Sequence, residues 1–131
     1  MDLSVIHDFI SGSYWARNIP RDLLVSSIEN SLCVGVLTTG DEQVGFARLI
    51  TDKATFAYMA DLFILEDHRG KGLGKWLVKY ILELPEMQGL RRILLVTEDA
   101  HGLYRRFGFE NIANPKIFME LRSTDIYMQH E

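Results

Sequence analysis

Seven consecutive residues, Arg69 to Lys75, hold three glycines at alternate positions, Gly70, Gly72 and Gly74, among three cations, Arg69, Lys71 and Lys75. Glycine lets a backbone bend sharply and lets a ligand approach its amides closely. A helix that starts there has N–H groups without partners and partial positive charge at its first turn. That combination is chemistry for an anion, a phosphate or pyrophosphate above all. The same residues also fit a tight turn with a solvated basic edge.

The flanking residues say which elements position this turn. An apolar run over 58–65 precedes it. After it, Leu73, Trp76, Leu77, Tyr80, Ile81 and Leu84 recur with the spacing of one helix face. A breaker stretch with Pro85 and Gly89 follows, then a second strand-like run over 93–97. Strand, glycine turn, helix and strand in that order predict a right-handed crossover between parallel strands. Two familiar phosphate loops fail on spacing. A dinucleotide fingerprint starting from Gly70 and Gly72 needs glycine where Lys75 stands. A P-loop ending at Gly74-Lys75 needs glycine at Arg69 and Ser or Thr at Trp76. What remains is Arg69-x-x-Gly72-x-Gly74.

That pattern, in DHRGKGLGKWL, resembles the acyl-coenzyme A loop of the GNAT superfamily, the GCN5-related N-acetyltransferases. A second block, ILLVTEDAHGLYRRFGFE, resembles that family's later strand and short helix ending in tyrosine and Gly-Phe. The resemblance covers residues 44–121 and implies an α/β (α+β) fold, a single GNAT-like domain over 1–131. It implies a mixed central sheet of about six to seven strands, an antiparallel meander then a parallel β-α-β crossover, flanked by about four helices. It implies acetyl-CoA as co-substrate and an amine acceptor. Arg69, Gly70, Lys71, Gly72, Leu73, Gly74 and Lys75 would hold the pyrophosphate. The backbone of Leu62, Phe63 and Ile64 would flank the pantetheine arm as an added strand does. Tyr104 would protonate the departing thiolate, and Phe107, one turn on, would pack against coenzyme or core. Relatives often carry asparagine where this chain has Thr97, whose hydroxyl replaces one hydrogen bond but not both amide functions.

Asp61 interrupts an otherwise apolar strand. A carboxylate there is costly unless it is paired or wetted. It is the expected general base, or else a structural acid bound to Arg48 on the neighbouring strand. Glu98 and His101 are alternatives near the mouth. Tyr14 and Trp15 sit in a polar loop, SGSYWARNIP, and are expected to border the acceptor; Arg17 and Arg21 either meet an acid on the substrate or face water. The four histidines and isolated Cys33 show no ligand spacing, so no metal is expected.

Composition bounds the rest. At 131 residues, 47% apolar and 24% charged, the chain suits one soluble domain. A net charge of −4 without a broad basic patch speaks against nucleic acid. One cysteine excludes an intramolecular disulfide, and no long apolar stretch predicts a membrane span, so a cytoplasmic location is expected. The resemblance implies a monomer or homodimer. Helices are expected over 3–10, 21–31 and 99–107, the last capped by Asp99. Strands are expected over 32–37, 43–50 and 56–65, with a last hairpin of 109–112 and 117–121. The expected activity is acetyl transfer from acetyl-CoA to a primary amine of a small molecule, by direct attack in a ternary complex. The alternative is a non-catalytic acyl-CoA-binding sensor or subunit.

Overall fold

A computed structural model describes residues 1–123, 126 and 127 of the chain. Its elements run α1 (Leu3–Ser11), α2 (Arg21–Glu29), β1 (Leu32–Leu37), β2 (Gln43–Thr51), β3 (Phe56–Ile64), α3 (Leu73–Leu82), β4 (Arg92–Leu95) and α4 (His101–Arg105). The strands form one sheet in the order β1-β2-β3-β4. The first three are an antiparallel meander, and β4 joins β3 in parallel. Among the described residues no helix is long and apolar enough to cross a membrane.

Local chemistry explains the joints. The Asp2 carboxylate accepts from the N–H groups of Ser4 and Val5 and starts α1. Asp52 accepts from the amides of Ala54, Thr55 and Phe56, which turns β2 into β3. Its carboxyl is held well below the usual range, first by the Thr55 hydroxyl and then by those amides.

The sheet separates two apolar layers. Ile6 and Ile10 of α1 and Leu24 of α2 pack with Phe46 and Phe63 on one face. Leu77, Val78 and Ile81 of α3 and Tyr104 of α4 pack with Ala47, Leu49, Ala57 and Met59 on the other. Opposite faces of β2 and β3 thus serve different helices, as the period of two requires.

Three expectations change. Among the described residues the sheet has four strands, not six or seven, because the 109–112 and 117–121 hairpin does not form. Pro115 opens a 3-10 turn to Ile117, and residues 118–123 pair with no strand. Residue 99 does not cap α4: Ala100 holds that position, and its N–H donates to the Thr97 hydroxyl at 3.1 Å. Trp76 and Tyr80 belong to the helix stripe by spacing, yet they stay about half exposed. They flank a shallow groove against β1, while Val78 takes the core position.

Gly45 sits where β1, β2 and β3 meet, opposite Val36 and Ile64. A Cβ there would lie 2.7 Å from Ile64 Cδ1 and 3.0 Å from two Val36 carbons. Gly45→Ala is expected to destabilise by about 1–3 kcal/mol through overpacking. The midpoint of urea unfolding measures it, and an unchanged midpoint would show that Ile64 swings clear at no cost.

Candidate active site

Parallel pairing between β3 and β4 covers only Phe56↔Arg92 to Met59↔Leu95. β3 then runs on to Ile64, held by β2 alone through Phe46↔Phe63 and Gly45↔Ile64. The β4-facing edge of residues 60–64 therefore has no strand partner among the described residues. Backbone groups on such an edge are ready to bond an extended chain. Leu62, Phe63 and Ile64 lie along it, with the side chains of Phe63 and Ile64 buried in the two cores.

The glycine turn stands at the end of this edge. Gly70 and Gly72 take φ of 80° and 78°, which disfavour any side chain. Nothing lies within 4 Å of where a Cβ would sit on Gly70, Gly72 or Gly74. Gly72 occupies the N-cap of α3 with no side-chain capping bond. Among the described residues the N–H groups from Gly70 to Lys75 donate to no protein acceptor; the first to do so is that of Trp76, to Gly72. Open space, unused donors and the positive end of a helix of ten residues fit the pyrophosphate of a coenzyme. Arg69 braces the turn: its Nε donates to the Ile64 carbonyl at 2.9 Å. Both Nη groups remain for an anion.

On the α1–α2 side a second cluster forms around Asp61. β3 spends two residues, Asp61 and Leu62, where β2 spends Ala47, and Asp61 adopts φ 51°. That is a β-bulge, a device that re-aims a side chain. The carboxylate receives Arg48 Nε at 2.6 Å and Trp15 Nε1 at 2.6 Å, one on each oxygen. Arg48 Nη1 donates on to Ser31 at 3.2 Å. The side chains of the pair are only 17% and 5% exposed. The loop carrying Trp15 is held at both ends as well. Ser13 Oγ donates to the Ile10 carbonyl and accepts from Ala16 N–H, and His7 Nε2 meets the Ile19 carbonyl. Tyr14 packs edge-on to Trp15, and both rings keep about half their surface in solvent.

Tyr104 approaches from the other side of the sheet. Its ring meets Phe109 edge-on and joins the α3 core. Burial pushes the phenol above its ordinary pKa, and nearby Asp99 and Tyr14 add to the rise. Burial raises Tyr58 too, with Asp61 and Tyr14 adding and Arg48 opposing.

Of the expected site residues, Tyr14, Trp15 and Asp61 come together, Tyr104 belongs to the α3 core layer on the other face, and Leu62 to Lys75 form the open edge and the glycine turn. Phe107 packs against the α3 core beside Tyr104. Glu98, His101, Arg17 and Arg21 are exposed. Tyr58 and Ser31 were not singled out from sequence. Tyr58 is two residues before Ala60 on the face that pairs with Arg48, so the period of two could have found it.

Comparison with known proteins assigns the family. The family model for the acetyltransferase (GNAT) domain matches residues 30–111. The crystal structure of a Xanthomonas campestris pv. campestris protein of the GNAT family superposes with a TM-score of 0.93 at 44% identity, covering 98% of this chain and 90% of that one. A Gibberella zeae protein named as an acetyltransferase is 35% identical over 111 residues, 70% of this chain and 62% of its own length. The peptidyl-lysine N-acetyltransferase YjaB of Salmonella typhimurium is 39% identical over 107 residues, 79% of this chain and 66% of its own length. The chain thus spans a little under two thirds of these two curated relatives. Tetrahymena GCN5, at 16% identity and a TM-score of 0.66, shares the fold. The chain belongs to the GNAT acetyltransferase family.

The Arg48–Asp61 pair yields a stability test. Arg48→Met leaves a carboxylate out of water without its main partner, which costs about 3–5 kcal/mol. Arg48→Met with Asp61→Leu is expected to recover most of that. Urea unfolding of both variants measures it, and equal losses in single and double variants would contradict the pairing as described.

Proposed function

We propose that this chain transfers an acetyl group from acetyl-CoA to a primary amine by direct attack in a ternary complex. The observation that carries the reading is the early end of β3–β4 pairing beside the unsatisfied amides of Gly70 to Lys75. An extended pantetheine arm bonds the 62–64 edge, the pyrophosphate rests on the turn, and the thioester lies in the opening between the strands. Family membership supports acetyl-CoA as the donor.

Each proton then has a destination. The neutral amine nitrogen attacks the thioester carbon, and a backbone N–H of the open edge stabilises the developing oxyanion. The C–S bond breaks as the tetrahedral intermediate collapses, and the thiolate takes the Tyr104 hydroxyl proton. Its raised pKa keeps that hydroxyl protonated at neutral pH. Asp61 is the assigned base. Each of its oxygens accepts one protein hydrogen bond and keeps a second lone pair for the amine proton, directly or through water. Holding both reactants in line supplies most of the remaining acceleration.

The acceptor is read as a small-molecule amine that Tyr14 and Trp15 border. A second reading, the side-chain amine of a peptidyl lysine, is favoured by likeness to the peptidyl-lysine N-acetyltransferase YjaB. An acetyl-CoA thiol-release assay separates them, run with polyamines, amino acids, aminoglycosides, arylalkylamines and a lysine peptide. Tight coenzyme binding without release for any of these amines would favour the sensor reading.

Tyr104→Phe is expected to lower kcat about 10²–10⁴-fold, the usual weight of a general acid. Coenzyme Kd by calorimetry should be unchanged; loss of binding with intact turnover per bound enzyme would remove Tyr104 from the acid role. In the wild type, the alkaline fall in kcat that Tyr104 controls should lie above pH ~10, the ordinary tyrosine pKa. A fall centred near neutrality would point to another acid.

A further inference from the structure

Three apolar residues of the sheet belong to neither of its two apolar layers. Ile50 of β2 pairs with Tyr58 of β3, and Tyr58 pairs with Leu94 of β4, so the three form one row across three strands. Their chain neighbours Leu49, Ala57, Met59, Ile93 and Leu95 pack into the α3 core, which puts the row on the α1–α2 face. The helices on that face pack around Phe46 and Phe63 and leave the row out. Ile50 is 45% exposed, and Tyr58 and Leu94 are half-buried. Neighbouring apolar side chains left in water on one face mark a surface that something covers.

The row begins where the Asp61 cluster ends. Arg48, which donates to Asp61, stands two residues before Ile50, and its partner Ala60 stands two residues after Tyr58. Strand residues two apart share a face and lie about 7 Å apart. The Trp15 indole, bonded to the other Asp61 oxygen, stands at this near end with Tyr14 edge-on to it. An apolar surface therefore adjoins a carboxylate that keeps a lone pair free on each oxygen.

That pairing selects among amines. A polyamine or aminoglycoside brings several ammonium groups, each costly to strip of water without a carboxylate. The row supplies no carboxylate, and Arg48 offsets the charge of Asp61. A lysine peptide would lay its backbone amides on the row, where they find no side-chain partner. An aromatic ring suits it, since Tyr58 and Trp15 offer ring faces and edges and Ile50 and Leu94 offer alkyl surface. We propose that the acceptor is an arylalkylamine, its ring on the Ile50–Tyr58–Leu94 row and its amine on a short tether at Asp61. Tyr58 is then a residue that determines specificity. The assignment rests on acetyl transfer to an amine with Asp61 as base, and it adds which amine. Coenzyme and ring do not compete for space: the row lies along the paired end of β3, and the open edge and glycine turn lie at its other end.

In kcat/KM, 2-phenylethylamine should exceed spermidine and a lysine peptide by about tenfold or more, the usual value of a filled apolar subsite. Tyr58→Ala should lower that value about tenfold, mostly through KM. Propylamine lacks the ring, so its slower transfer should change less than about twofold in the same variant. Ile50→Lys, at a position already in solvent, should act on 2-phenylethylamine in the same direction, which decides the matter if Tyr58→Ala folds poorly. A binding measurement separates the substrate class from the reaction. In a Trp76→Phe chain Trp15 is the remaining tryptophan, and 2-phenylethylamine should change its fluorescence in the presence of coenzyme A. Binding without transfer would uphold the substrate class and overturn acetyl transfer. Transfer to another amine ahead of 2-phenylethylamine, or equal losses for 2-phenylethylamine and propylamine in Tyr58→Ala, would overturn the substrate class and leave acetyl transfer standing. Neither binding nor transfer would overturn both. A two-chain mass by light scattering that falls to one chain in Tyr58→Ala would give the row to a second copy and overturn the proposal.

Discussion

Strand β3 has two different neighbours, and the structure depends on where one of them lets go. On the β2 side its antiparallel ladder runs to Ile64; on the β4 side parallel pairing stops at Met59. The sheet therefore opens at the carboxyl end of its parallel pair. Crossover connections place a helix start there, and open α/β sheets bind ligands there for that reason. The opening supplies unsatisfied strand-edge groups, and α3 supplies unsatisfied amides at the same end. Neither would be tolerable if buried without a partner. Both are tolerable at an exposed mouth, and both become assets when an extended diphosphate ligand arrives.

The bulge at Asp61 works within this opening. A largely desolvated ion pair is poor evidence for stability, because replacing both members by apolar groups is often neutral. Its geometry points to placement instead. One oxygen fixes Trp15 from a loop 46 residues away, and the other fixes Arg48 across the ladder. The φ of 51° at Asp61 is uncommon for a residue with a side chain, though aspartate tolerates it better than most. That local strain aims one carboxylate at the loop that carries Trp15 rather than along the regular pleat.

Much of this was legible in residue order, and the boundary between legible and not is physical. The limits of β1, the start of β3 and the start of α3 follow from period and from glycine, which act within a few residues. The Arg48–Asp61 pair was an even alternative, since a carboxylate in an apolar strand demands a partner and the next strand offered one. The Trp15–Asp61 bond was not legible, because no local pattern ties a loop tryptophan to a strand far along the chain. Trp76 and Tyr80 were misjudged for a related reason. Helical spacing gives a face about a third of the circumference wide, and only the sheet it meets decides which edge of that face is covered. The 117–121 segment shows the same limit from the other side. Its alternation does read as a strand, but among the described residues it pairs with none; alternation names what an element would bury and not whether an edge receives it.

β4 joins these threads, and its shortness is what allows it to. Four paired residues hold it to β3, enough to anchor the crossover and too few to close the opening beyond Met59. A longer β4 would extend the ladder along residues 60–64 and close the open edge there. A short edge strand is in turn weakly held, since an outer strand with one neighbour has half the ladder bonds of an inner one. The open inner end therefore answers one requirement: the strand must hold α4 in place while leaving room beside β3.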